Sequence, residues 1–184
     1  MPLVETPNAE LGVTAPPFAL KGTDGTTYTL DDVRGEKATL VMFICNHCPY
    51  VKAVIERLVE TVEALREEGV GAVAVMPNDT SNYPQDSFGN MIAFAKAHRF
   101  GFPYVIDETQ DVARAYGAVC TPDFFGYDAD LKLKYRGRLD EGRTDPPSPR
   151  AKRELHDAMV MIAHAGEGPE VQLPSMGCSV KWKL

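Results

Sequence analysis

A continuous apolar run, ATLVMFI at 38–44, passes without a break into Cys45-Asn46-His47-Cys48-Pro49, and the hydrophobic period changes on the far side. The run has β-branched content and no alternation, as expected of a strand buried on both faces. Beyond Pro49, the residues Val51, Val54, Ile55, Leu58, Val62 and Leu65 recur at three- and four-residue steps. They mark one face of a helix, predicted from about 48 to 68. Pro49 suits the first helical turn, where its missing N–H costs nothing, and Gly69 suits the left-handed position after the last. VGAVAVM at 70–76 is a second buried strand. The unit is therefore a parallel strand–helix–strand crossover with two cysteines at its first junction.

Elements of similar length surround this unit. Residues 17–30 carry Asp24-Gly25 between two short extended runs, the signature of a hairpin turn. A polar stretch at 77–90 predicts a surface loop long enough to carry function. A short helix at about 89–99 and a third candidate strand at 103–107 follow. TQDVARAYG predicts a helix capped by Thr109 and stopped at Gly117. DFFGY and LKLKYRG flank Asp128-Ala129-Asp130 as an antiparallel hairpin, and Ser148-Pro149 opens a helix to about 165 with Leu155, Met159 and Ile162 on one face. The tail, 166–184, has no sustained period. This order predicts an α/β fold: a mixed central sheet flanked by helices, an N-terminal β-hairpin, and one domain whose core spans about 10–165.

Charge narrows the partners. Lys and Arg total 19 against 26 Asp and Glu, a net charge of −7, which disfavours nucleic acid and anionic membrane surfaces. Residues 130–153 hold eight basic and four acidic side chains, interleaved as on a solvated face. No apolar stretch approaches the length of a membrane span, and MPLVETPNAELGVTAPPF lacks the regions of a secretory signal. The expected location is the cytoplasm, where a close cysteine pair is catalytic or metal-binding rather than structural.

At a helix N-terminus, unpaired N–H groups and the macrodipole stabilise a thiolate, lowering a cysteine pKa from about 8.5 into a range of about 3.5–7.5. Cys45 is therefore the expected nucleophile, with His47 and Asn46 between the cysteines tuning its potential and His47 adding positive charge when protonated. Cys48 lies one turn on and can attack a mixed disulfide at Cys45, closing the ring and releasing the reduced substrate. The competing readings are a metal knuckle, which wants four ligands and finds no second paired motif, and plain structural cysteines.

The strand VMFI, the motif CNHC, the amphipathic helix after it and a later Thr121-Pro122 resemble the thioredoxin superfamily, most closely its redoxin, peroxiredoxin-like (AhpC/TSA-like) branch. The resemblance implies a thioredoxin fold and dithiol–disulfide exchange without a cofactor. Electrons would come from a dithiol reductant protein, and the substrate would be a disulfide-containing protein, a small thiol or a peroxide. It also implies that Pro122 is a cis-proline beside the cysteine pair, with the Thr121 backbone pairing with a substrate chain as an added strand. Three departures stand out: Ile44 replaces the usual Trp, Met42 replaces the buried acid that serves the second cysteine, and Asn46-His47 replaces Gly-Pro.

Two rivals follow. A thiol peroxidase would place a proline and a hydroxyl ahead of its cysteine, where this chain has Ala38 and Met42, or Val41 and Cys45. A copper or zinc carrier would use Cys45, Cys48 and a distant histidine, although His98, His156 and His164 fall on predicted helices. Cys120, two residues before Pro122, and Cys178, in the tail, are each a third redox cysteine or a packed apolar residue. Trp182 and Val180 are expected to pin the tail to the body.

Overall fold

The computed structural model describes residues 2–184. Its strands are β1 (Leu3–Glu5), β2 (Ala19–Gly22), β3 (Thr27–Thr29), β4 (Ala38–Phe43), β5 (Val70–Met76), β6 (Tyr104–Ile106), β7 (Cys120–Thr121), β8 (Asp123–Asp128), β9 (Leu133–Gly137) and β10 (Met176–Ser179). Its helices are α1 (Leu30–Val33), α2 (Pro49–Arg66), α3 (Phe88–Ala97), α4 (Asp111–Tyr116) and α5 (Glu154–Ala165), with a 3₁₀ turn at Pro84–Asp86. Seven strands form one sheet in the order β3-β2-β6-β5-β4-β8-β9, with β4, β5 and β6 parallel and the rest antiparallel. This is the expected mixed sheet, and its fold is thioredoxin-like. Among the described residues no helix is long and apolar enough to cross a membrane.

The apolar run of β4 is buried at every position because the strand is central and covered on both faces. Successive side chains point to opposite faces. Leu40, Met42 and Ile44 pack with α2 and α5, while Val41 and Phe43 pack with α1, α4, Phe125 and Tyr127. The chain therefore leaves the end of β4 in the middle of the sheet, and α2 begins there with Cys48 as its N-cap residue and Pro49 inside its first turn.

Several elements differ from expectation. The helix expected from Ser148 begins six residues later, at Glu154. Ser148 instead closes a local turn, accepting from Arg150 N–H on its hydroxyl and from Ala151 N–H on its carbonyl. Basic Arg150, Lys152 and Arg153 oppose the positive end of a helix, whereas Glu154 and Asp157 favour it. Thr109 does not cap α4. The N-cap is Gln110, held at φ +66°, and the Asp107 carboxylate accepts the first-turn N–H groups of Val112 and Ala113. The 130–153 stretch is not wholly solvated: Arg136 is buried and forked onto the fully buried Asp123.

The largest difference lies in the tail. β10 forms the middle of a second sheet, ordered β1-β10-β7. Beyond it, the tail is fastened by side chains of the main body. Asn78 Oδ1 accepts from Lys181 N–H, and the buried Gln110 side chain donates to the Lys181 carbonyl and accepts from Lys183 N–H. Val180 is buried as expected, whereas Trp182 is exposed, with the Arg114 guanidinium over its ring.

Candidate active site

The site sits where β4 ends, α2 begins and the Thr121-Pro122 loop crosses. That peptide bond is cis. Cys45 Sγ lies 3.4 Å from the Thr121 hydroxyl, and Cys48 Sγ lies 3.3 Å from the Thr121 carbonyl oxygen. Both cysteines of the expected pair are thus in direct contact with Thr121 of the expected substrate loop. All four cysteines are free and buried, Cys45 at 1 % exposure and Cys48 at 0 %.

The charge is not where the sequence placed it. The Cys45 thiol is hydrogen-bonded to Cys48, which raises Cys45; burial and the Asp86 carboxylate push it further up. The same hydrogen bond lowers Cys48, to about 5, with further help from the side chain and N–H of Cys178. Burial and the Thr121 carbonyl, to which a protonated Cys48 donates, work against this, and the donors win. The two thiols titrate as a coupled pair, which gives up its first proton easily and its second with difficulty. The N-cap position of Cys48 adds the helix macrodipole to that preference.

Asp86 is the site residue that the sequence reading missed. It comes from the 3₁₀ turn, is fully buried, and accepts from Asn46 N–H at 2.8 Å and from Asn78 Nδ2 at 2.9 Å. Its carboxylate is also 2.7 Å from His47 Nδ1, approached too obliquely for a well-directed hydrogen bond. His47 stacks on Tyr83, ring centroids 5.9 Å apart. Met42 indeed offers no acid, and Asp86 brings a carboxylate to the pair from the other side. The polar loop at 77–90 therefore has a buried underside. Asn46 is spent on position: its side chain donates to the Gln85 carbonyl and accepts from Tyr104 Oη.

Replacing Asp86 with Asn keeps an acceptor for Asn46 N–H but removes the charge that raises Cys45. The alkylation of Cys45 by iodoacetamide is expected to move to lower pH by roughly one unit. An unchanged pH–rate profile would show that Asp86 is merely a scaffold.

Cys45, His47 and Asp86 place one potential metal-ligand atom each within 4.8 Å of one another. The distant histidine imagined for a metal carrier is not supplied, since His156 pairs with Asp157 and His164 with Glu68. His98 packs against Phe94.

The tail changes the substrate edge. Cys178 stands opposite Thr121 and Ser179 opposite Cys120, so the β7 edge expected to receive a substrate strand is occupied by this chain's own β10. The approach is close: a Cβ on Gly177 would fall 1.9 Å from the Thr121 carbonyl oxygen. Gly177→Ala is therefore expected to push β10 off the loop, cost about 1–3 kcal/mol and speed alkylation of the buried pair. Thermal unfolding and thiol-alkylation rates check both effects, and an unchanged alkylation rate would show that β10 does not cover the site. Cys178 packs in the same buried cluster as the pair, and burial and the nearby Cys48 sulfur raise its thiol. Cys120 points to the Pro122 carbonyl at 3.7 Å, and burial pushes its thiol far up.

The sequence model of the AhpC/TSA family matches residues 11–136. Among solved structures, an uncharacterized conserved protein from Geobacillus kaustophilus is 47% identical, with TM-score 0.93, covering 100% of this chain and 97% of that one. A hypothetical protein from Sinorhizobium meliloti 1021 is 35% identical, with TM-score 0.89, over 97% of this chain and 98% of that one. The thiol-disulfide oxidoreductase ResA of Geobacillus thermodenitrificans is 29% identical over 124 residues, 67% of each chain.

Proposed function

Because this chain belongs to the AhpC/TSA family and is an oxidoreductase of thioredoxin-like fold, we propose that it exchanges disulfides through the Cys45–Cys48 dithiol. The observation that carries this reading is the contact of both sulfurs with Thr121, at 3.4 and 3.3 Å, at the start of α2. The lowered Cys48 thiol, at about 5, gives the reduced pair a thiolate near neutral pH.

In the proposed cycle, the proton on Cys45 passes to Cys48, and the Cys45 thiolate attacks one sulfur of a substrate disulfide. One substrate thiolate leaves. Cys48 then attacks Cys45 in the mixed disulfide, and the second substrate thiolate leaves as Cys45–Cys48 forms. Two electrons have passed from the dithiol to the substrate. Protonated His47 would offset Asp86 and favour charge on Cys45 during the first step. A dithiol reductant protein restores the pair.

Ala38 and Met42, or Val41 and Cys45, stand where a thiol peroxidase places its proline and hydroxyl, so disulfides of proteins are preferred over peroxide as substrate. The test is insulin reduction driven by dithiothreitol, run beside hydrogen peroxide consumption. Insulin reduction well above the uncatalysed rate is expected. Rapid peroxide turnover with no insulin reduction would overturn the reading.

A further inference from the structure

The cycle above uses two of the four cysteines, yet a third is brought to them by the strand that covers the Thr121 edge. β10 is held between β1 and β7, and Cys178 is placed directly across from Thr121. Its side chain is 5 % exposed and packs in the same buried cluster as Cys45 and Cys48, beside the Thr121 that both sulfurs touch. Only a glycine could let the strand pass so near the cis-proline loop. A chain of hydrogen bonds ties this strand to the cysteine motif: Lys181 N–H to Asn78, Asn78 to Asp86, and Asn46 N–H to Asp86. β10 thus sits where a substrate strand would, and carries a sulfur where a substrate's sulfur would be.

We propose that Cys178 is a third redox cysteine, converting the Cys45–Cys48 disulfide into a Cys48–Cys178 disulfide and regenerating a free thiol at Cys45. The proposal rests on dithiol exchange at Cys45–Cys48. The Cys178 sulfur attacks Cys48 Sγ of the oxidised pair; the Cys48–Cys178 bond forms and the Cys45–Cys48 bond breaks. Cys45 leaves as a thiolate and takes the proton that Cys178 gave up. No electrons enter or leave, because the oxidising equivalent came from the substrate disulfide. The step is conditional on oxidation. In the reduced protein, burial holds the Cys178 thiol up at about 12, with the hydrogen bond and charge of Cys48 adding to it. Oxidation of Cys48 removes both of those contributions. The product fastens β10 to the start of α2 and closes the Thr121 edge, with Cys45 kept as a thiol.

Tryptic peptides separate the outcomes. Cys45 and Cys48 share peptide 38–52, Cys120 lies in 115–132 and Cys178 in 154–181. The full-length reduced protein is treated with one equivalent of diamide, quenched in acid, alkylated with N-ethylmaleimide, digested and sequenced by mass spectrometry. The expected product is peptide 38–52 joined to 154–181 through Cys48, with the alkyl group on Cys45, beside the internal Cys45–Cys48 form. Cys45→Ser should give the same cross-link under diamide, and Cys178→Ser only the internal disulfide. Full alkylation of Cys178 in both oxidised wild type and Cys45→Ser would overturn the proposal. Were insulin reduction normal in that case, dithiol exchange would stand and the third cysteine alone would fall.

Discussion

Cys45→Ser is expected to lower insulin reduction by at least about 10³-fold, because a hydroxyl cannot replace the attacking sulfur and nucleophile loss removes the covalent route. Cys48→Ser should fail differently. Its Cys45 still attacks, but nothing inside the motif displaces the substrate, so a stable mixed disulfide accumulates and shows on a non-reducing gel. The assignment of roles depends on cover as well as charge. Cys48 is enclosed by the Thr121 carbonyl, the first turn of α2 and Cys178. Cys45 faces the Thr121 hydroxyl and the polar group of His47 and Asp86. In the proposed cycle, the resting charge on Cys48 is the store from which one proton transfer activates Cys45. If Cys45→Ser trapped substrate through Cys48 while Cys48→Ser trapped none, the two roles would be reversed.

The parts of the site legible in the sequence are those written in local periodicity. β4, the cysteine motif and α2 are contiguous, and the shift from an unbroken apolar run to a 3.6-residue period marks the junction wherever the chain later goes. Asp86 leaves no such mark. It stands in a short 3₁₀ turn, 40 residues from the Asn46 N–H it holds, among polar residues that read as solvent-facing. β10 is four residues long, and its partners lie near residues 3–5 and 120–121, so neither its length nor its pattern announces pairing. The Cys178 contact depends on that pairing and could not be read before it. Arg136 was lost for a related reason: among alternating charges, only burial shows which one has gone inside.

Arg136→Met is expected to cost about 3–5 kcal/mol, since it strands a buried carboxylate. Asp123 is 0 % exposed and its side-chain charge is met by the fork of Arg136 Nε and Nη2, at 3.3 and 2.9 Å. Arg136 also donates to the Gly117 carbonyl and lies over the Phe125 ring. For a chain of this size the midpoint of thermal unfolding should fall by roughly 6–20 °C. The pH dependence identifies the cause. Burial already holds Asp123 above its ordinary carboxylate range, and the hydrogen bonds and charge of Arg136 pull it back. Without Arg136 its folded-state value rises further. A group raised on folding favours the folded state while protonated and loses that advantage as pH climbs through the raised value. The deficit of Arg136→Met against wild type should therefore be smaller at pH 4.5 than at pH 7.5, measured by urea unfolding. Arg136→Met/Asp123→Leu should regain part of the loss, because the stranded charge is gone. An equal deficit at both pH values, with no recovery in the double variant, would assign the loss to the missing Phe125 contact instead. Asp123 directly follows Pro122, so the same pair anchors the chain on which the Thr121 contact with both sulfurs depends.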